Sequence, residues 1–409
     1  MLDSFHHWPV RALGELVSFR NGLNFTQAAN GERVKIVGVG DFLDREEIKD
    51  IAALTEGCVA GEVREEETLN DGDLLFVRSN GNKALVGRCA LVRPGSSKVC
   101  FSGFTIRARV TVRDVDAFYL VKLARSEVML RELHRLGSGS SINNLSQDIL
   151  SEVRLPFPPL PEQRRIAGIL RTWDEAIDAA SRLIDAKRRR LDGVAARLFA
   201  STRAIGGGRR PEGWTRMTFG DAFAERKTRN PGLLDTDVVT VGKYAIRKQS
   251  EHFKRSVASK DLSPYWVISP GDFVYDPMSA YYGALGRFDG ASDGVVSPAY
   301  RVIRLAKGLD SDFMAELLKQ HHVRFQLDAL SSQGNKEGKR RSLQRSAFDS
   351  VEFFAPGQNA QREMAGKVAL FRADLAASET HLDALKRQKR GLMQKLLTGD
   401  WRVPAEPAG

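Results

Sequence analysis

Pro161-Glu162-Gln163-Arg164-Arg165-Ile166-Ala167-Gly168-Ile169-Leu170-Arg171-Thr172-Trp173 opens a stretch with a regular apolar beat. Apolar residues return in alternating steps of four and three at Ile166, Leu170, Trp173, Ile177, Ala180, Ile184, Leu191, Val194 and Leu198, with only Lys187 breaking the series. Such steps average about 3.5 residues, which draws one apolar seam along a helix wound on a partner helix. A helix packed only on its own globular domain slips to a period of about 3.6 within a few heptads. The pattern comes back later in the chain as Met364, Val368, Phe371, Leu375, Leu382, Leu385, Leu392 and Leu396, with Ser378 and Lys389 as polar exceptions. Two seams in one polypeptide can bury each other, and a paired coiled coil is expected.

The ends of both helices are marked. Pro156, Pro158, Pro159 and Pro161 bar a helix before Glu162, although Pro161 can occupy a first turn. Gly206-Gly207-Gly208 ends the first helix, and Arg209-Arg210-Pro211 links onward. Gly399 and Pro404 end the second. Each helix would span about 60 Å at roughly 1.5 Å per residue.

The helices are part of a larger repeat. Pro158, Gln163, Arg164, Ala167, Gly193 and Leu198 match Pro356, Gln361, Arg362, Ala365, Gly391 and Leu396 at one constant offset. Upstream, Trp8 and Gly14-Glu15 answer Trp214 and Gly220-Asp221, and Gly87-Arg88 answers Gly286-Arg287. Asp71-Gly72-Asp73-Leu74-Leu75-Phe76 answers Pro270-Gly271-Asp272-Phe273-Val274-Tyr275. Small shifts between these matches are what loop insertions produce. One repeat at half the chain length is a duplication and not a solenoid.

Each half therefore runs from a globular segment into a helix. The expected layout is a globular domain over 1–157, a helix over 158–205, a second globular domain over 206–357 and a second helix over 358–402. The fold class is α+β: two α/β domains separated by two long helices that pair as a coiled coil. Strand-type runs include Val34–Val37, Leu74–Val77, Thr105–Val110, Val238–Val241, Phe273–Tyr275 and Tyr300–Leu305. One helix is expected late in each globular segment, near Ala117–Leu136 and Asp312–Leu330.

With 409 residues, 42% of them hydrophobic and 28% charged, the chain can build packed cores, so disorder is not the default. The net charge of +11 favours a polyanionic partner, namely DNA, RNA or an anionic membrane. Cys58, Cys89 and Cys100 form no CxxC pair and no even framework of bridges. Met1–His7 shows no basic-then-apolar leader, and no apolar run approaches the roughly 18 residues that span a bilayer. A cytoplasmic protein without a membrane partner is expected.

Two stretches per half have the chemistry to read nucleic acid. After the late helix comes a polar, small-residue loop, with Ser140, Ser141, Asn143 and Asn144 in the first half and Asn335, Lys336, Lys339, Arg340 and Arg341 in the second. Between paired strands lie Arg78, Ser79, Asn80, Asn82 and Lys83, answered by Ser279, Tyr281 and Tyr282. Arg247 and Lys248 are further basic candidates. Asn pairs well with adenine, Arg and Lys with guanine or phosphate, and small residues let the backbone approach. Either polar loop alone reads better as solvated surface. Its recurrence in both halves is what favours function.

The order of globular segment, Pro-rich hinge and heptad helix, repeated once, resembles the specificity subunits of type I restriction-modification enzymes. The hinge Leu155-Pro156-Phe157-Pro158-Pro159-Leu160-Pro161-Glu162-Gln163-Arg164-Arg165-Ile166-Ala167 looks like that family's entry into its first conserved helix. Lys386-Arg387-Gln388-Lys389-Arg390-Gly391-Leu392-Met393-Gln394-Lys395-Leu396-Leu397-Thr398-Gly399 looks like its closing segment. The second hinge keeps Pro356 and Gln361-Arg362 but lacks the Leu-Pro-Glu of the first. The resemblance covers nearly the whole chain. It implies that each domain reads one half of a split double-stranded DNA target while the two long helices, as an antiparallel coiled coil, set the unread spacer. It also implies two methyltransferase subunits docked on the helices and a restriction subunit that joins for cleavage. S-adenosylmethionine, ATP and Mg would then belong to those partners, with no cofactor in this chain.

The residues agree with a chain that does no chemistry. An adenine methyltransferase needs an NPPY-type motif, which Asp276-Pro277-Met278 is not, and Val37-Gly38-Val39-Gly40-Asp41 lacks the third glycine of a dinucleotide loop. There is no GxxxxGK[ST] sequence. The pairs His6-His7 and His321-His322 lack acid or Cys partners at metal spacing and are expected at surfaces or caps. The residues alone leave open another nucleic-acid scaffold, a nuclease built on acids such as Glu65-Glu66-Glu67, and a structural protein with incidental charge.

Overall fold

The structure, a computed structural model, describes residues 8–25, 31–42, 45–59, 61–136, 144–206, 209–230, 232, 237–249, 261–334 and 340–403. The first half supplies strands β1 (Val10–Ala12), β2 (Val17–Asn21), β3 (Glu32–Val37), β4 (Glu47–Ile48), β5 (Thr55–Val59), β6 (Leu74–Val77), β7 (Cys89–Val92), β8 (Val99–Phe101) and β9 (Thr105–Val110). Helices α1 (Ala117–Ala124), α2 (Glu127–Leu136) and α3 (Gln147–Glu152), strand β10 (Arg154–Pro156) and the long helix α4 (Leu160–Leu198) follow. The second half repeats the order with β11 (Thr215–Thr218), α5 (Phe219–Ala222), β12 (Phe223–Arg226), β13 (Asp237–Gly242), β14 (Ala245–Lys248), β15 (Trp266–Ile268), β16 (Phe273–Tyr275), β17 (Leu285–Arg287), β18 (Gly294–Val296) and β19 (Arg301–Leu305). It ends with α6 (Ser311–Leu317), α7 (His321–Leu330), β20 (Ser332–Gly334), β21 (Arg340–Ser342), α8 (Arg345–Asp349), β22 (Glu352–Ala355) and the long helix α9 (Gln358–Thr398).

Compactness divides the chain differently from the expected four successive segments. One unit comprises Met1–Ser181 and Thr380–Gly409, and the other Arg182–Glu379, so each unit takes one part of both long helices.

In the first unit a five-stranded sheet runs β2-β9-β6-β7-β4 and a three-stranded sheet runs β5-β3-β8. Strand β6 is buried throughout because both its faces are covered. Leu74 and Phe76 point into a core shared with α1, α2, α3 and the long helices, while Leu75 and Val77 point into a second core between the sheets. The turn before β6 needs a glycine, since Gly72 has a φ of 92°. Asp73 fixes that turn by accepting from the Asn70 amide at 2.7 Å and from the Arg109 guanidinium of β9 at 2.8 and 2.7 Å.

The second unit repeats this frame with sheets β12-β19-β16-β17 and β14-β13-β18-β15. Phe273 and Tyr275 of β16 face the helix-bearing core and Val274 the inter-sheet core. Gly271 has a φ of 88°, and Asp272 accepts from the Ser269 amide at 2.9 Å and from Arg304 of β19 at 3.1 Å. The parallel pair β3–β8 has its counterpart in β13–β18, and the closing pair β1–β10 in β11–β22.

The single late helix expected in each half is two helices. Between α1 and α2 the Ser126 amide donates to the Leu123 carbonyl at 3.1 Å while the Ser126 carbonyl accepts from the Leu130 amide at 3.2 Å, and Gln320 is the N-cap of α7 after α6. Continuous apolar periodicity hid both breaks. Helix α4 starts at Leu160, so Pro161 sits in its first turn, and it ends at Leu198, short of the glycine run.

Gln163 and Gln361 do the same work in both units. The Gln163 amide donates to the Pro158 carbonyl at 2.8 Å, and its oxygen accepts from the Asp116 amide, the N-cap of α1, at 2.9 Å. The Gln361 amide donates to the Pro356 carbonyl at 2.8 Å, and its oxygen accepts from the Asp310 amide, the N-cap of α6, at 2.8 Å. A buried glutamine thus locks each hinge to the domain it leaves.

The long helices pair antiparallel inside each unit. In the first unit Arg402 binds both carboxylate oxygens of Glu162 at 2.9 Å, and further along α4 Asp174 pairs with Lys389. In the second, Lys187 reaches Asp374 at 2.7 Å and Ser378 Oγ at 2.9 Å, and the Arg190 guanidinium lies 5.0 Å from the Phe371 ring. The apolar residues quoted above from Ile166 to Leu198 and from Met364 to Leu396 are all buried or half-buried.

The three polar interruptions have partners. Lys187 and Ser378 bond to each other. Lys389 enters a cluster with Glu46, Asp174 and the fully buried Lys122. Burial alone would raise the Glu46 carboxyl, but the two ammonium groups outweigh it and hold the pKa down at about 2.

Candidate nucleic-acid interface

In the first unit the turn after β6 carries Arg78 to Asn82. The Arg78 amide donates to the Phe104 carbonyl, and the Leu145 amide donates to the Arg78 carbonyl, both at 2.8 Å. These two bonds gather Arg78, the turn between β8 and β9, and the segment at Asn144 at one end of the sheet. Phe104 there is 60% exposed, and Asn144 is exposed. Asn80 Oδ1 accepts from the Asn82 amide at 2.8 Å and Asn82 Oδ1 from the Ala84 amide at 3.1 Å, so both asparagines shape the turn. Ser79 is half-buried beside them. The residues Ser140, Ser141, Asn143, Asn335, Lys336 and Lys339, and the side chains of Lys83 and Arg340, lie outside the described residues.

The second unit repeats the link. The Leu343 amide donates to the Pro277 carbonyl at 2.8 Å, tying the turn after β16 to the return of the polar loop. Asp276 holds that turn by accepting from the Met278 amide at 2.9 Å and from the Ser279 hydroxyl. Ser279 therefore braces the loop. Gly283, with a φ of 105°, closes it, and a Cβ there would fall 2.9 Å from the Tyr244 ring. The short turn Ala280–Tyr282 lies against α7.

Arg341 is also a brace. It reaches Asp328 Oδ1 at 2.7 Å and the Asp328 carbonyl at 2.5 Å, and its guanidinium lies 4.5 Å from the Tyr281 ring centre. Beside it opens a cleft of about 320 Å³ lined by Lys243, Tyr281, Tyr282, Arg324, Phe325 and Asp328. Arg247 is exposed on β14, and Lys248 pairs with Asp237 at 2.7 Å. Both lie at the end of β14 away from Lys243.

The model of the type I restriction modification DNA specificity domain matches residues 6–186. The type I restriction enzyme StySPI specificity subunit of Salmonella potsdam is 21% identical over 368 residues, covering 83% of this chain and 78% of that one. Among solved structures, a chain of a type I R-M system covers 96% of this chain and 98% of its own, with a TM-score of 0.60 at 16% identity. An S subunit from M. genitalium covers 96% of both chains, with a TM-score of 0.52 at 14% identity. Residues 6–186 thus match the family's DNA specificity domain, and along most of its length the chain is similar to type I restriction-modification specificity subunits.

Specificity subunits are non-catalytic. Cys89 and Cys100 are buried, which pushes both thiols up, Cys100 to about 11, away from reactive thiolate. Among the described residues no group of His, Cys, Asp and Glu could hold a metal ion, and no helix is long and apolar enough to cross a membrane.

The histidine pairs need one correction. His6 and His7 lie outside the described residues. His321 is exposed, as expected, but His322 turns inward, its ring nitrogen 3.1 Å from Thr202 Oγ1. Sequence reasoning also passed over Lys243, Arg324 and Phe325, which line the cleft of the second unit. The signal was present: Arg324 and Phe325 are adjacent on an amphipathic helix whose apolar face is Val323 and Leu327. A cation and an aromatic ring on the opposite face call for a partner.

Proposed function

We propose that this specificity subunit reads a bipartite double-stranded DNA target, one half-site with each unit. The observation that carries the proposal is the repeated backbone bond from Leu145 to Arg78 and from Leu343 to Pro277. It joins the two stretches whose chemistry suits base and phosphate contact, in both halves. The net charge of +11 supplies the non-specific attraction that any such reader needs. Two linked readers also gain affinity, because the second binds at high effective concentration.

The face of the first unit comprises Arg78, Ser79, Asn80, Asn82, Phe104 and Asn144. Two methyltransferase subunits dock along α4 and α9 and bring S-adenosylmethionine. A restriction subunit brings ATP and Mg for cleavage, and the complex works in the cytoplasm. The test is methylome sequencing of cells that carry this chain with its modification subunit. A split, asymmetric methylated motif is expected. A continuous motif, or no sequence-dependent methylation, overturns the proposal.

A further inference from the structure

Helix α7 has a face that its own fold leaves uncovered. Val323, Gln326 and Leu327 are buried, while His321, Arg324, Phe325 and Asp328 are exposed. Those exposed positions follow the spacing of one helical stripe. Phe325 is 59% exposed, and Tyr282 of the neighbouring turn is 61% exposed. Large aromatic rings this open to water normally mark a contact surface.

The charge around the rings is positive. Lys243 stands at the tip of the β13–β14 hairpin with its ammonium 5.3 Å from the Tyr282 ring centre. Arg324 lines the same cleft. Among the described residues the one carboxylate lining the cleft, Asp328, is paired with Arg341 at 2.7 Å. A surface of two cations, two open rings and a compensated acid fits a polyanion that also offers apolar patches. Duplex DNA does so: phosphates flank the groove, and thymine methyl groups lie on its floor. The major groove is also wide enough for a helix. The supports are stiff, since Gly283 is packed on Tyr244 and Arg341 is clamped between Tyr281 and Asp328.

We propose that the outward stripe of α7, through Arg324 and Phe325, together with Tyr282 and Lys243, is the DNA-reading surface of the second unit. Arg324 takes a guanine edge or a phosphate, Lys243 takes a phosphate, and Phe325 makes the apolar contact to a base. This rests on the reading that each unit recognises one half-site.

The test uses the full chain in complex with its methyltransferase subunits. Phe325→Ala should relax the methylated motif at one position of one half-site and leave the other half-site intact. Arg324→Ala should weaken binding to the cognate duplex by about tenfold or more. Lys243→Gln should weaken it evenly across sequences and lower the slope of log affinity against log salt by about one. All three side chains are exposed, and unchanged thermal unfolding of each variant checks that folding is intact. If motif and affinity are unchanged in Phe325→Ala and Arg324→Ala, the inference falls while the two-half-site reading survives. If these variants instead release a protein subunit and bind DNA normally, the surface is a protein dock and the inference falls. If the wild-type complex shows no split motif, it is the underlying reading that has failed.

Discussion

The two units share a skeleton and differ in what they hold out. Gln163 and Gln361 make the same pair of bonds at the hinge, and Asp73 and Asp272 brace the same glycine turn. Leu145 and Leu343 tie the same two loops. On that skeleton the first unit presents Arg78, an Asn-built turn and Phe104, while the second presents Tyr282, Phe325 and two cations. Buried polar residues with fixed partners tolerate little change, because each substitution strands a donor or an acceptor. Loop faces carry no such constraint and are free to diverge.

The sharpest contrast lies in how each unit anchors its part of the coil. In the first unit Lys122, without solvent exposure, holds Glu46 and Asp174 together with Lys389. In the second, Lys187 pairs with Asp374, whose side chain is 59% exposed. Removing one member of a buried charge cluster leaves the others uncompensated and costs about 3–5 kcal/mol. An exposed pair contributes roughly 0–1 kcal/mol. Lys122→Met should therefore destabilise the first unit by several times the cost of Lys187→Ala in the second. Urea unfolding followed by hydrogen exchange within each unit measures both. Equal effects would mean that the cluster is solvated and not a buried anchor.

These anchors also show what could be read in advance. The heptad beat from Ile166 to Leu198 and from Met364 to Leu396 foretold two long helices, because one-dimensional spacing encodes a one-dimensional seam. The duplicated Asp-Gly-Asp and Pro-Gly-Asp turns foretold matching strands. Lys187, Ser378 and Lys389 stood out only as breaks, since their partners are set by pairing between distant segments. For the same reason the sequence marks Arg341 as a basic candidate without showing that the fold sets it against Asp328 and Tyr281. A guanidinium's role depends on what the fold places beside it. Lys243 and Arg324 come together only in the folded unit, and no local spacing links them.

Acid should separate the units in a second way. Burial lowers His322 from 6.5 to about 4, aided by the positive charge of Arg203 and by His321. Between those values the unfolded chain takes up a proton that the folded unit refuses, so the second unit loses stability as pH falls through this window. Glu46 in the first unit acts lower: its contribution is complete above about 4.5 and drains away as pH falls toward 2. Hydrogen exchange at pH 7, 5.5 and 4.5 should therefore show the second unit softening first. His322→Gln should flatten that response, and an undiminished loss in that variant would assign the softening to another group.

The smallest expected effect concerns glycines that the fold does not require. Gly193 of α4 lies in the second unit and Gly391 of α9 in the first, at matching places in the repeat. A Cβ added at either would meet nothing within 4 Å. Glycine inside a helix costs about 0.5–1 kcal/mol relative to alanine, so Gly193→Ala and Gly391→Ala should each raise the stability of the chain by that amount. If the pair is there to let a docked methyltransferase subunit approach the helix backbone, the same substitutions should weaken assembly of the complex while the chain itself grows more stable. Thermal unfolding of the chain and titration with the methyltransferase subunit distinguish the two readouts. A rise in stability with unchanged assembly would mark the glycines as tolerated remnants of the duplication, and a difference between the two sites would show that the units meet their partners unequally.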